Sequence, residues 1–319
     1  MIPVQNRLLA AVLSLVAGLA CAQSYPNHAV KLVVPYGPGS SPDSVGRIVA
    51  QQMQEALRQP VVVANIAGAL ANVGTAEVAR AAPDGYTILV TTNTPHAANV
   101  ALFKSLPFDP VRDFAPIVRL ITTSMVLLVR SDFPASTLPE FIAHAKAKPG
   151  GLTAGYGSAA TIVSIAKLRS AAGFKTLDVP YKGVPLAITD VLGGQIDFTL
   201  GDLAVSMPQI NGGKMKGLAV TSPRRTPLAP DLPAIAETFP GFETRIWYGL
   251  VAPANTPKAI VAKLHDVVSA SLARPEVRDR LAGLGLEPAP MPPDEFAAFI
   301  KQEIDKWTRE VREAGIQPE

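Results

Sequence analysis

Short apolar runs alternate with amphipathic stretches along this chain, and that alternation restricts its fold more than any other feature. Residues 30–34, 61–63 and 86–90 are apolar runs of strand length. Between them, residues 44–57 place Val45, Ile48, Val49, Met53, Ala56 and Leu57 on one helical face, and residues 73–82 read as a second helix. A β-α-β-α-β order predicts a parallel sheet with helices on both sides. Right-handed crossovers then bring the strand-to-helix loops to one sheet edge, the edge at which such folds bind ligands.

A second set follows. Strands are expected at residues 125–129, 152–156, near 176–179, at 197–200 and at 218–220, with helices at 138–148, 161–172, 185–192 and near 204–211. The apolar run 247–252 reads as a return crossing. Two terminal helices close the chain, one presenting Ile260, Val261, Leu264, Val267, Val268 and Leu272, the other Phe296, Phe299, Ile300, Ile304, Trp307 and Val311. The expected architecture is a two-lobed α/β protein, each lobe a mostly parallel sheet flanked by helices. Residues 23–124 plus 249–319 form lobe 1 and residues 125–248 form lobe 2. Two crossings make a hinge, with a cleft between the lobes.

The first 22 residues set the compartment. Arg7 precedes an apolar run of 12 residues, 8–19, and Ala20-Cys21-Ala22 supplies a small-x-small cleavage site. That order describes a secretory signal, and the run is short of the ~20 residues a membrane span needs. Cleavage after Ala22 removes Cys21, the only cysteine. The alternative keeps Cys21 as a lipidated first residue, although Gly18 stands where a lipoprotein signal wants a larger aliphatic side chain. An exported chain without cystines suits a bacterial periplasm.

Composition narrows the function classes. Hydrophobic residues at 48% and charged residues at 17% permit substantial cores and exclude a disordered chain. The net charge of +3 falls to +2 without Arg7, too small a surplus to mark a nucleic-acid binder. The 30 prolines are spread along the chain and punctuate short elements.

Two loops carry candidate binding chemistry. Loop 35–43 holds Gly37 and Gly39, then Ser40, Ser41 and Asp43 at a helix start, where free N–H groups favour an anion. Asp43 is also a simple helix cap on this reading. Pro42 stands where a dinucleotide fingerprint would need its third glycine. Loop 155–161, with Gly157, Ser158 and Thr161, occupies the matching place in the second lobe. His96, in the loop after the third strand, is either a contact or a helix cap. No nucleophile–base pair, metal-ligand spacing or cofactor motif appears, so neither enzyme activity nor a cofactor is expected. A secreted hydrolase-like enzyme using the same cleft is the alternative.

These pieces together resemble the Bug family, the periplasmic solute receptors of tripartite tricarboxylate transporters. The resemblance covers the chain after the signal. It rests on Pro35-Tyr36 with Pro38-Gly39 and Asp43, on Pro83-Asp84-Gly85-Tyr86-Thr87 and His96-Ala97-Ala98-Asn99, on Leu106-Pro107-Phe108-Asp109-Pro110, on Pro180-Tyr181-Lys182-Gly183, on Gly193-Gly194-Gln195-Ile196-Asp197 and on Tyr248-Gly249-Leu250-Val251-Ala252-Pro253. It implies a type II, Venus-flytrap binding protein that holds a small carboxylate or related metabolite, acts as a monomer and passes its ligand to membrane permease subunits. Ligand contacts are then implied at Tyr36, Gly39, Ser40, Asp43, Thr92, His96, Tyr156, Gly157, Ser158, Thr161, Tyr181, Lys182, Gly183 and Asp202. Ser40 replaces a usual second glycine, and residues 160–165 depart from the family's usual Gly-Thr…His-Leu run. The resemblance therefore implies no particular ligand.

Overall fold

Strand β1 (Val30–Val34) pairs in parallel with β2 (Val61–Asn65) on one side and β3 (Thr87–Thr92) on the other. The computed structural model describes residues 25–318, so the signal segment and Cys21 lie outside the described residues. Helices α1 (Ser41–Leu57) and α2 (Asn72–Ala79) make the two crossovers. On α1 the buried face carries Val45, Ile48, Val49, Met53 and Leu57 as the periodicity predicts. Ala56 instead faces outward, and Gln52 is buried, accepting from Arg274 Nη1 at 2.8 Å. Helix α2 ends earlier than expected.

β4 (Phe114–Arg130) is a single 17-residue strand, whereas only its second half was predicted. Pro116 and Arg119 disguise the first half, and the ladder absorbs them as register shifts between Pro116 and Val118 and between Arg119 and Ile121. Residues 114–124 pair antiparallel with β9 (Arg245–Pro253), which also pairs with β3. Residues 125–129 pair with a second group, β7 (Phe198–Asp202), and residues 126–130 also face β8 (Met215–Val220). Beyond β7 lie β5 (Leu152–Tyr156) and β6 (Thr176–Pro180), all parallel. The order is β2-β1-β3-β9-β4-β7-β5-β6, a curled sheet with the expected α/β organisation.

The second group carries helices α3 (Leu138–Ala147), α4 (Ala159–Ala172), α5 (Val184–Leu192) and α6 (Leu203–Asn211). The chain ends with α7 (Lys258–Ala273), α8 (Pro275–Gly283), strand β10 (Glu287–Met291) and α9 (Pro293–Glu313). Neither α8 nor β10 was expected. β10 holds two prolines in five residues and survives as an edge strand paired to β4. No helix among the described residues is long and apolar enough to cross a membrane.

Two backbone passages join the halves, and one threonine ties them. Thr221, fully buried, accepts from Met125 N at 2.9 Å and donates to Thr244 O at 2.8 Å through the same hydroxyl. Its own N–H donates to Met125 O at 2.9 Å.

Acidic residues of the terminal helices read as a solvated face, and Glu303 on α9 contradicts this. It is buried, and one of its oxygens accepts from both Trp247 Nε1 (2.9 Å) and Trp307 Nε1 (3.0 Å). Periodicity shows a helix face, but not that two indoles beneath it require an acceptor. Glu303→Ala is expected to orphan two buried donors at about 1–3 kcal/mol each, and Glu303→Gln, which keeps an acceptor, to cost less. Urea denaturation of the two variants checks the order.

Candidate functional site

Each strand of the two parallel groups delivers its C-terminal end toward the same opening, so helix beginnings collect there. After β1 the chain turns through Gly39, whose φ of +78° suits a residue without a side chain. Ser40, not Asp43, is the N-cap of α1. Its hydroxyl donates to Gly37 O at 2.8 Å and accepts from Asp43 N at 3.4 Å. Asp43 points back beneath the loop, accepting from Gly39 N (3.0 Å), Asn65 Nδ2 (2.9 Å) and Arg47 Nε (3.1 Å). Burial pushes its carboxyl up, but Arg47, Asn65 and the Gly39 N–H outweigh that and hold it below the ordinary 3.8. Asp43 fixes the loop rather than facing the cleft.

After β3, Thr92 Oγ1 meets Tyr36 Oη at 2.8 Å and accepts from Thr94 N at 3.1 Å. Burial raises the Tyr36 phenol to about 12, so it stays neutral. A π-helical turn, Thr94–Ala98, follows. It turns His96 inward, where Nδ1 lies 2.6 Å from Thr91 Oγ1 and the ring packs on Phe114 at 4.5 Å. Burial lowers the His96 pKa to about 3, leaving a neutral core imidazole.

In the second group, Ser158 caps α4 and accepts from Thr161 N at 3.2 Å, while Thr161 Oγ1 donates to Leu200 O at 3.1 Å. Ala159 N donates to Thr94 Oγ1 at 3.3 Å, which links the two halves directly. A Cβ on Gly157 would sit 2.3 Å from the Gly183 carbonyl carbon and 2.4 Å from Val184 N, so only glycine lets the start of α5 lie so close. Asp202 caps α6 from the end of β7. Ser41 Oγ, from the first half, donates to it, as does Tyr248 Oη of β9 at 2.8 Å.

The result is a cleft of about 450 Å³ between the halves. The first turns of four helices line it: Ser40 to Pro42 of α1, Ser158, Ala160 and Thr161 of α4, Val184 and Pro185 of α5, and Asp202 and Val205 of α6. Of the expected residues, Tyr36, Ser40, Thr92, Gly157, Ser158, Thr161 and Asp202 line it together. Gly39, Asp43, His96, Tyr156, Tyr181, Lys182 and Gly183 are not among its lining residues. Tyr181 donates to Asp190 at 2.6 Å, Lys182 is exposed, and Gly183 backs Gly157.

Ser41, singled out by the loop reading, also lines the cleft, whereas Asn93, Thr94 and Tyr248 were not among the expected residues. Asn93 and Thr94 lay in a loop already singled out, but histidine chemistry drew the choice to His96. Asn93 is only 2% exposed, and its Nδ2 has no hydrogen-bond partner. Among the described residues lining the cleft there is no lysine, arginine or histidine, and Asp202 is the one carboxylate. Burial raises the pKa of Asp202 above 3.8, only partly offset by the bonds from Ser41, Tyr248 and the α6 amides.

Two outcomes follow from this geometry. Gly157→Ala is expected to push α5 out of the cleft wall and weaken binding of any cleft ligand about tenfold or more, with α4 helicity retained; calorimetry and circular dichroism check both. A raised folded-state pKa means that the folded protein holds the Asp202 proton more tightly than the unfolded chain does. That contribution is present at low pH and lost as pH rises through the folded value. The stability of Asp202→Asn minus that of wild type should therefore climb as pH increases from the ordinary 3.8 toward neutrality, and melting curves across that range read it.

Comparison with known proteins agrees with this architecture. The model of the tripartite tricarboxylate transporter family receptor matches residues 45–316. Protein BugT of Bordetella pertussis is 32% identical over 98% of both chains. The solved periplasmic binding protein BugD is 35% identical and superposes with a TM-score of 0.88, covering 92% of this chain and 100% of its own. Rpa4515 of R. palustris, solved with adipate, is 30% identical with a TM-score of 0.90 over 92% of this chain and 100% of its own. The fold is that of a two-lobed periplasmic binding protein, and the chain belongs to the tripartite tricarboxylate transporter receptor family, alongside the Bug proteins.

Proposed function

We propose that this protein is exported by residues 1–22 to the periplasm, where it captures a small organic acid in the cleft and hands it unchanged to a membrane permease of the tripartite type. One observation carries the reading. Four helix N-termini and the unpartnered Asn93 amide converge on a cleft whose lining holds no cationic side chain among the described residues. Such N–H groups and dipoles favour an anion without a fixed positive charge. The adipate bound by Rpa4515 supports a carboxylate as the chemical class.

The carboxylate is assigned to the Ser158–Thr161 turn and Asn93, and the rest of the ligand to the apolar wall of Met125, Val184, Pro185, Val205 and Ile246. Asp202 disfavours a second charge at its end of the cleft, so that end suits an uncharged or hydrogen-donating group. Residues 23–124 with 249–319, and 125–248, are taken as the bodies that close. The ligand shifts the open–closed population by contacting both.

A thermal-shift screen of the purified protein against mono- and dicarboxylates of graded length tests the proposal. A true ligand present at 100 times its Kd adds about 2.7 kcal/mol of stability. Asn93→Ala should lower the affinity for that ligand about tenfold, the loss of one charge-assisted hydrogen bond. A protein that no organic acid stabilises, or an Asn93→Ala variant that binds as well as wild type, overturns the reading.

A further inference from the structure

On β9, Ile246 and Tyr248 line the cleft, whereas Arg245 lines a separate groove of about 820 Å³. Its walls come from the β4 crossing at Thr122–Ser124, from β10 at Glu287 and from the loop after β8 that holds Ser222, Arg224 and Arg225. Nothing in the proposed transport cycle uses it. Three arginines therefore surround one open space against a single lining carboxylate, Glu287.

Two of those arginines are held in place. Arg225 pairs with Glu237 through Nε and Nη2, both at 3.0 Å, and Arg245 Nε lies 3.2 Å from Glu243. Arg224 makes no ion pair or hydrogen bond among the described residues. Beside it, Ser222 is only 7% exposed, and its hydroxyl has no hydrogen-bond partner. A buried hydroxyl without a partner costs free energy unless something fills its hydrogen bond. An uncommitted guanidinium next to it presents a fork that matches oxyanion geometry.

We propose that this groove is a second binding site, taking a small multivalent oxyanion of phosphate or polycarboxylate type. Arg224 is its principal ligand, Ser222 donates to it, and Arg225 and Arg245 supply field. Glu287 opposes the same anion from the facing wall. The site is independent of the cleft, and its failure leaves the cleft reading standing.

Calorimetric titration of the purified protein with inorganic phosphate, and separately with citrate, at constant ionic strength tests it. At least one of the two is expected to bind, and which one distinguishes the tetrahedral from the carboxylate source. Arg224→Ala should weaken that binding about tenfold or more and Ser222→Ala several-fold. Glu287→Gln should tighten it, a gain that no folding defect imitates. Asn93→Ala should leave it unchanged. No binding of either anion, equal affinity in Arg224→Ala, or loss of binding in Asn93→Ala would overturn the proposal.

Discussion

The handedness of parallel β-α crossovers is the constraint on which the rest of this molecule depends. Because α1 leaves the end of β1, α4 the end of β5, α5 the end of β6 and α6 the end of β7, their unsatisfied first-turn N–H groups arrive at one opening. No cationic side chain lines that opening among the described residues. The capping residues Ser40, Ser158 and Asp202 accept part of that donor capacity, and the remainder defines the electrostatics of the cleft.

Such an arrangement works only if the two halves stay connected while the opening varies. β4 runs unbroken from one half to the other, and Thr221 bonds the second passage to it at the point of transfer. Polar cross-contacts on the cleft side run from Ala159 N to Thr94, from Ser41 to Asp202 and from Tyr248 to Asp202. Individual hydrogen bonds of this kind contribute about 1 kcal/mol. Water can replace each of them as the halves separate.

The sequence made the strand-to-helix order plain because buried strands and amphipathic helices have different periods. Both loops that line the cleft were legible from glycines and hydroxyls following a strand. What escaped was information that lies in neighbours distant along the chain. Tyr248 sits in an apolar run that reads as core, and only the pleat of β9 aims it at Asp202. His96 carries recognisable chemistry, yet the π-helical turn buries its imidazole against Phe114 and leaves Asn93 and Thr94 to line the cleft. Asp43 looked like the cap because carboxylates cap helices, but Arg47 and Asn65 draw it under the loop and leave the cap to Ser40.

A cleft of neutral donors also bears on release. Pulling an anion from a buried guanidinium leaves an uncompensated charge, which makes departure expensive. Amide N–H groups and hydroxyls carry no net charge, and water can replace the ligand on each of them as the cleft opens. Asp202 works in the same direction. Its carboxyl group accepts from Ser41 and Tyr248, and its negative charge limits how much further negative charge the cleft can hold. A receptor of the proposed kind therefore takes its selectivity from the match between one anionic end and one apolar wall. Its reversibility comes from the absence of fixed positive charge, and both properties follow from where the crossovers place the helix ends.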